Sequence, residues 1–272
     1  MTPPDPTDLE RILLTGSWGT GKSRSWAVIA NWLKKTGSDA KVYVIDTEMP
    51  STIKRTRETF DNLDNVVGVS ASDWESVARA AETYQKIGKP GDWLTVDNAA
   101  NPWDYVQAYF IEKVHEMPPE KAYLDWATEG MKGGGPIGGE YGKDWGVINK
   151  LYGAYMGKVQ RFPGHVLMTT PSEEVKEPDR AGKGGDSLEI RQQFGRFGVK
   201  PKGQKALAFQ CHTVLWLANV GDARKNEWRV TTMKDRGNRE YLTGVEYSDL
   251  VTGYLMKIGG WKMAAATLAE QE

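Results

Sequence analysis

The chain has 272 residues, enough for one large domain or about two small ones with a substantial buried core. Its 35 Lys and Arg nearly balance its 36 Asp and Glu, so any polyanion-binding surface would have to be a local patch. The single cysteine, Cys211, excludes an intramolecular disulfide and a thiolate-rich zinc site. The first residues lack a secretion signal, and no run approaches the ~20 apolar residues of a membrane span. We therefore expect a cytoplasmic protein that does not enter a membrane.

Strand and helix patterns alternate in the first hundred residues. The apolar run 11–15 predicts a strand buried on both faces, and apolar residues at helical spacing predict a helix after Gly21. The next predicted elements are strands at 41–46 and 66–70, a helix over 73–87 and a strand at 93–97. Because parallel neighbours need crossover connections, this order predicts an α/β fold with a mostly parallel twisted sheet flanked by helices.

The second half of the chain is less regular. Periodicity is lost over 101–141, and the glycine-rich stretch 130–142 predicts a mobile loop. Apolar residues at helical spacing from 145 to 162 predict a helix, and a strand is predicted at 165–170. The charged, glycine-containing segment 172–205 then predicts a long loop. Strands are predicted again at 213–218, 228–232 and 241–245. We expect one domain over 1–272, with its core at about 9–250 and loop insertions near 101–142 and 172–205.

The strongest motif is GSWGTGKS at residues 16–23, which fits G-x-x-x-x-G-K-[ST] between a strand and a helix. Glycines let backbone N–H groups turn towards phosphate oxygens, and the helix N-terminus adds a favourable dipole. Lys22 would reach the β and γ phosphates, and Ser23 would ligate magnesium. The predicted nucleotide-binding residues are Gly16, Ser17, Trp18, Gly19, Thr20, Gly21, Lys22 and Ser23.

Two carboxylates follow predicted strands at the edge where open parallel sheets bind ligands. Asp97 ends the run WLTVD, where a nucleotide-hydrolysing site needs a carboxylate for the magnesium shell. Glu48 follows the second strand and is either a residue that polarises water or a solvated turn acid. Asp46 ends that strand and is expected to cap the following turn.

The series GSWGTGKS, VYVIDTE, WLTVDNA, HVLMTTPSEE and RVTTMKDRGNRE resembles the RecA-like ATPase core, in particular the phage Sak-type recombination ATPases. The resemblance spans about 11–245. It implies that Glu48 activates the attacking water and that Asp97 is the Walker B aspartate. It also implies that Thr170, or its neighbour Ser172, senses the γ phosphate.

The resemblance further implies sites for DNA and for a neighbouring subunit. The 172–205 segment corresponds to a DNA-facing loop, whose basic and aromatic residues suit phosphate contact and base stacking; they are Arg191, Phe194, Arg196 and Lys200. Lys234 and Arg236 resemble the K-x-R fingers that act in a neighbour's nucleotide site, and side chains two apart on a strand point the same way. From the residues alone, a solvated loop and a surface basic pair remain open.

These observations predict an ATPase that uses ATP and Mg²⁺ and couples its nucleotide state to single-stranded DNA binding or annealing. The expected partners are further copies of the chain and a phage single-strand binding or recombination protein. A nucleotide-gated DNA-binding scaffold with little turnover and a DNA packaging or remodelling motor are the alternatives. The bulky Trp18 in the loop and the insertion at 101–141 depart from the family pattern.

Overall fold

In the computed structural model, the described part of the chain comprises residues 9–48, 52–53, 56, 63–128, 137, 143–179, 184–221, 225, 227–236, 244, 246–247 and 250–255. The helices are α1 (Lys22–Lys35), α2 (Trp74–Ile87), α3 (Asn101–Val114), α4 (Pro119–Thr128), α5 (Lys143–Gln160), α6 (Leu188–Phe194) and α7 (Leu207–Gln210). The strands are β1 (Arg11–Gly16), β2 (Val42–Asp46), β3 (Val66–Ser70), β4 (Trp93–Asp97), β5 (His165–Glu174), β6 (Val199–Pro201), β7 (Thr213–Asn219), β8 (Trp228–Asp235) and β9 (Glu246–Tyr247). A 3₁₀ turn lies at Gly195–Phe197 and a π-helical turn at Leu250–Tyr254.

The strands form one mixed sheet in the order β3-β2-β4-β5-β1-β7-β8-β9. Neighbouring strands are parallel from β3 to β7, whereas β8 and β9 are antiparallel at one side. The short β6 pairs in antiparallel fashion with the end of β5. The prediction of an α/β fold with a mostly parallel sheet flanked by helices is confirmed. The parallel arrangement places the carboxyl ends of β1, β2, β4 and β5 at one edge of the sheet.

Each face of the sheet carries its own apolar core, because successive strand residues point to opposite sides. Ile12 and Leu14 of β1 belong to the core that Trp26 and other α1 residues complete. Leu13, between them, belongs to the core on the opposite face, where α2, α3 and α5 pack. All three β1 side chains are fully buried, as the continuous apolar run predicted.

The prediction that order breaks down from residue 101 is wrong. Two helices, α3 and α4, occupy most of 101–128. Proline at the start of α3 suits a first helical turn, and Val106, Phe110 and Ile111 then bury one face against the core. The predicted mobile loop at 130–142 lies outside the described residues except for position 137, and the predicted strand 241–245 does so except for position 244.

The prediction of a long loop over 172–205 is also wrong for about half of that segment. β5 continues to Glu174, β6 pairs with it, and α6 lies between them. Ser187 caps α6 by accepting a hydrogen bond from the backbone N–H of Ile190. The segment is therefore a folded hairpin and helix that pack on the sheet.

Within the described ranges, no helix is long and apolar enough to cross a membrane.

Candidate functional site

The 16–23 loop joins the carboxyl end of β1 to the first turn of α1. Gly19 and Gly21 adopt positive φ angles of 74° and 86°, which glycine adopts without strain. A Cβ on Gly16 would collide with the backbone carbonyl of Leu217 and lie 2.8 Å from Thr20 Oγ1. Glycine is therefore required at position 16 for packing and at the other two for backbone conformation.

Lys22 ties this loop together. Its ammonium donates to the carbonyl oxygens of Gly16 at 3.0 Å and Ser17 at 2.8 Å, and the residue is only 8% exposed. Burial lowers the pKa of Lys22, while the charges of Glu48 and Asp97 oppose that change. The loop thus keeps a cation beside two carboxylates, at the start of a helix with no acid in its first turn.

Asp97 is the buried acid of the site, with no exposed surface. One carboxylate oxygen accepts from Thr169 Oγ1 at 2.5 Å and from Ser23 Oγ at 3.4 Å, and the other accepts from Thr52 Oγ1 at 3.3 Å. Burial raises the pKa of Asp97 to about 6; Glu48 and Asp46 add to the rise, and the bonds from Thr169 and Ser23 oppose it. A buried carboxylate beside two others favours an added cation.

The two predicted magnesium residues, Ser23 and Asp97, therefore meet. Among the described residues there is no group of three or more His, Cys, Asp or Glu side chains that could hold a metal ion. Magnesium commonly takes one or two protein oxygens and completes its shell with substrate phosphates and water. The Ser23 hydroxyl and the Asp97 carboxylate fit that mode and do not form a complete metal cage.

Asp46 organises the turn after β2. It is fully buried, and its carboxylate accepts from the backbone N–H groups of Glu48, Thr52 and Ile53 at 3.0, 2.6 and 3.2 Å. The expectation that Asp46 caps this turn is confirmed. With Asp46 committed to the backbone, Glu48 is the free carboxylate that lines the cleft.

A second set of bonds ties Thr47, the residue before Glu48, to the end of β4. The Thr47 hydroxyl donates to the Asn98 carbonyl and accepts from the Asn98 N–H, both at 2.8 Å. The Thr47 carbonyl accepts from Asn101 Nδ2 at 2.9 Å and from the Tyr105 hydroxyl at 3.1 Å. The backbone that carries Glu48 is therefore fixed to β4 and α3.

The structure gives the predicted sensor Thr170 a different contact. Its hydroxyl donates to the Lys202 carbonyl at 2.6 Å, whereas the neighbouring Thr169 contacts Asp97. Adjacent strand residues point to opposite faces, so only one of the two hydroxyls can reach Asp97. Sequence analysis missed Thr169 and Thr52; the adjacent threonines in HVLMTT were the available signal for the first.

A cleft of about 350 Å³ lies beside these groups at the carboxyl edge of the sheet. Its walls are Trp18, Gly19, Gly21, Lys22, Ser23, Arg24, Glu48, Thr52, Thr56 and Pro171. Trp18 is 82% exposed, so this bulky loop residue lies at the rim of the cleft and takes no part in the core.

The predicted DNA-binding residues fall into two groups. Phe194 is fully buried and cannot stack on a base, so this prediction is wrong. Lys200 forms ion pairs with Glu173 at 2.9 Å and with Asp186, which leaves little of its charge for a phosphate.

The two arginines of this segment differ in their partners. Arg191 forms an ion pair with Glu177 at 3.2 Å. Arg196 is exposed, and its guanidinium lies 4.6 Å from the centroid of the Phe197 ring. Of the four residues that sequence analysis selected, only Arg196 presents a free cation among the described residues.

The two residues of the predicted finger pair, Lys234 and Arg236, differ in burial. Lys234 is 4% exposed, and its ammonium donates to the carbonyls of Ala208 at 2.7 Å and Cys211 at 2.6 Å. A side chain held in this way cannot extend into a neighbouring subunit, so the prediction of two free fingers is corrected. Arg236 is exposed at the end of β8. Since Asp235 pairs with Thr213 at the start of β7, Arg236 lies at the sheet edge opposite the cleft.

No protein-family model matches the chain, and no curated protein sequence is significantly similar to it.

Proposed function

We propose that this protein binds ATP with Mg²⁺ in the cleft and hydrolyses it with Glu48 as the group that activates water. One juxtaposition carries the proposal: the 16–23 loop and Lys22 lie beside a buried Asp97 that already accepts from Ser23, and Glu48 lines the same cleft. Phosphate, metal and water would each find a suitable partner there.

Phosphate recognition follows from the state of Lys22. Its ammonium donates to two loop carbonyls, so neutral acceptors hold this charge in the loop and no ion pair has to be broken when phosphate binds. Phosphate oxygens are stronger acceptors than carbonyls because they are charged. Binding would transfer the Lys22 bonds to phosphate, while loop N–H groups and the α1 dipole would hold the remaining oxygens.

Ser23 and Asp97 would hold the magnesium ion, which neutralises charge on the phosphates when bound. Thr169 and Thr52 keep the Asp97 carboxylate in one orientation by donating to its two oxygens. Glu48 would take the proton of the attacking water. The bonds from Asn101 and Tyr105 to the Thr47 carbonyl support its position, because they restrain the backbone that carries it.

The resemblance to RecA-like phage recombination ATPases supports the wider role, in which nucleotide state alters single-stranded DNA binding. The mixed sheet agrees with the resemblance for four of the five motifs, since its parallel strands bring their ends to one edge. The fifth motif lies on the antiparallel β8 and ends at the opposite edge. The exposed Arg196 is a candidate contact for the strand.

The rate of phosphate release from ATP, measured for the wild type and Glu48→Gln with and without single-stranded DNA, tests this proposal. We expect the variant to bind ATP like the wild type but to release phosphate slower by about 10² or more, the scale of a positioned general base. Glu174→Gln, an exposed acid on the β5–β6 hairpin, is the matched control and should be unaffected. Equal turnover in all three proteins would contradict the role of Glu48. Tight ATP binding without wild-type turnover would favour the nucleotide-gated scaffold.

A further inference from the structure

Two arginines that sequence analysis assigned to different roles line one groove. Arg196 comes from the turn after α6 and Arg236 from the end of β8. The groove measures about 500 Å³, and its walls are Glu189, Gln192, Gln193, Arg196, Phe209 and Arg236. The 3₁₀ turn also brings Phe197 against the Arg196 guanidinium.

The two guanidinium groups have no ion-pair partner among the described residues. Two other basic groups of the 184–201 segment are neutralised: Arg191 pairs with Glu177, and Lys200 pairs with Glu173 and Asp186. Glu189 is the one acid in the groove wall, against two arginines. The groove therefore carries net positive charge in a protein whose overall charge is −1.

The walls of the groove are joined to the core by buried side chains and hydrogen bonds. Phe194, the last residue of α6, is fully buried, and Gln193 of the same helix donates to the Met233 carbonyl at 3.2 Å. Lys234 joins β8 to the end of α7 through its bonds to the Ala208 and Cys211 carbonyls. The backbone that carries the two arginines is therefore anchored on both sides of the groove.

We propose that this groove binds single-stranded nucleic acid, with Arg196 and Arg236 on the phosphodiester backbone. A guanidinium matches a phosphate with two parallel hydrogen bonds. Phe209, a half-buried residue of the groove wall, offers ring surface to a base, and the Gln192 amide offers a donor and an acceptor to base edges. An acidic peptide would use the arginines and leave the Phe209 ring and the Gln192 amide without a role.

The groove is separate from the nucleotide cleft. Arg236 follows the residue that pairs with Thr213, and Thr213 in turn pairs with Ile12 at the start of β1. The 16–23 loop begins four residues farther along that strand, about 13 Å at the usual rise of a strand. The inference rests on the proposed function for the class of partner. It does not depend on the nucleotide site, because binding of nucleic acid in the groove requires no nucleotide.

Fluorescence anisotropy with labelled oligothymidylate, in the absence of nucleotide, tests the groove. We expect the double variant R196A/R236A to bind about tenfold or more weakly than the wild type. Its plot of log affinity against log salt should be flatter by about 1.4, since each single-strand phosphate contact contributes about 0.7. Arg79→Ala, an exposed arginine on α2, is the matched control and should leave both quantities unchanged.

Four further measurements make the outcome decisive. Oligouridylate of the same length distinguishes RNA from DNA as the source of the backbone, and binding of either supports the groove. Displacement of the strand by polyglutamate at equal charge concentration would overturn the assignment to nucleic acid. R196K/R236K should retain more affinity than the alanine pair and guards against a folding defect. Unchanged affinity and salt slope in R196A/R236A would overturn the proposal, and unaltered ATP binding by that variant would keep this result distinct from failure of the cleft.

Discussion

Thr169 and Thr170 are adjacent threonines, and removal of each hydroxyl should have a different cost. Valine has nearly the same shape as threonine, so Thr169→Val and Thr170→Val each delete a donor without leaving a large cavity. In the first variant the buried Asp97 loses its bond from Thr169. In the second, the Lys202 carbonyl loses its bond from Thr170.

The magnitudes follow from the charge of each acceptor. Hydrogen bonds to charged groups contribute about 1.5–3 kcal/mol to stability, and bonds between neutral groups about 0.5–1.5 kcal/mol. The Thr169 bond ends on a carboxylate that is fully buried, so we expect Thr169→Val to lose about 2 kcal/mol. Thr170→Val should lose about 1 kcal/mol, because its acceptor is a backbone carbonyl.

Urea unfolding of the wild type and both variants at neutral pH, with a chelator present, measures the difference. The free energy of unfolding should fall in the order wild type, Thr170→Val, Thr169→Val, with slopes that agree among the three proteins. Equal losses in the two variants, or a larger loss in Thr170→Val, would refute the assignment of Thr169 as the partner of Asp97.

Three other substitutions test the surrounding structure. Gly16→Ala places a methyl group against the Leu217 carbonyl, so it should lower the free energy of unfolding by about 1–3 kcal/mol and weaken ATP binding; calorimetry measures both. Phe194→Ala should destabilise the fold by about 3–5 kcal/mol in urea, since the ring is fully buried. Burial lowers the pKa of His165 to about 4, with help from a nearby arginine. Because the unfolded chain then binds the proton more tightly, His165 should lower stability by about 2 kcal/mol between about pH 7.5 and pH 5, measured as the difference between the wild type and His165→Asn. The raised pKa of Asp97 contributes with the opposite sign in both proteins and cancels in that difference.

Much of the fold follows from local patterns in the sequence. The strands Val66–Ser70 and Trp93–Asp97 lie at the predicted residues. For Trp93–Asp97 the reason is burial, because a fully buried parallel strand needs a continuous apolar run. The helix after Gly21 ends at Lys35, as the basic last turn and Gly37 predicted, and Gly37 has a φ of 68°.

The missed elements depend on contacts that the local pattern does not contain. The helix α3 carries its own signals, Pro102 and an apolar face, but the neighbouring glycines obscured them. The helix α6 has seven residues, too few for its periodicity to be distinguished from a loop. Phe194 is buried because α6 packs on the sheet, and its ring fills part of the apolar core. Its position between arginines in the sequence suggested base stacking instead.

The candidate site divides in the same way. The loop motif selected Lys22 and Ser23, and the end of a predicted strand selected Asp97; the structure brings the three together. The contact of Thr169 with Asp97 depends on which strand face points to the neighbouring strand. The burial of Lys234 depends on the carbonyls at the end of α7, which alternation along β8 does not reveal.

Isothermal titration of ATP with Mg²⁺ tests the central claim most directly. The wild-type chain should bind, and Lys22→Ala should bind weaker by on the order of 100-fold, because the phosphates lose their principal cation. Lys35→Ala, exposed at the other end of α1, should bind like the wild type. Urea unfolding of the three proteins identifies any change in stability. Equal ATP affinity in the wild type and Lys22→Ala, or no binding by any of the three, would contradict the account of the cleft.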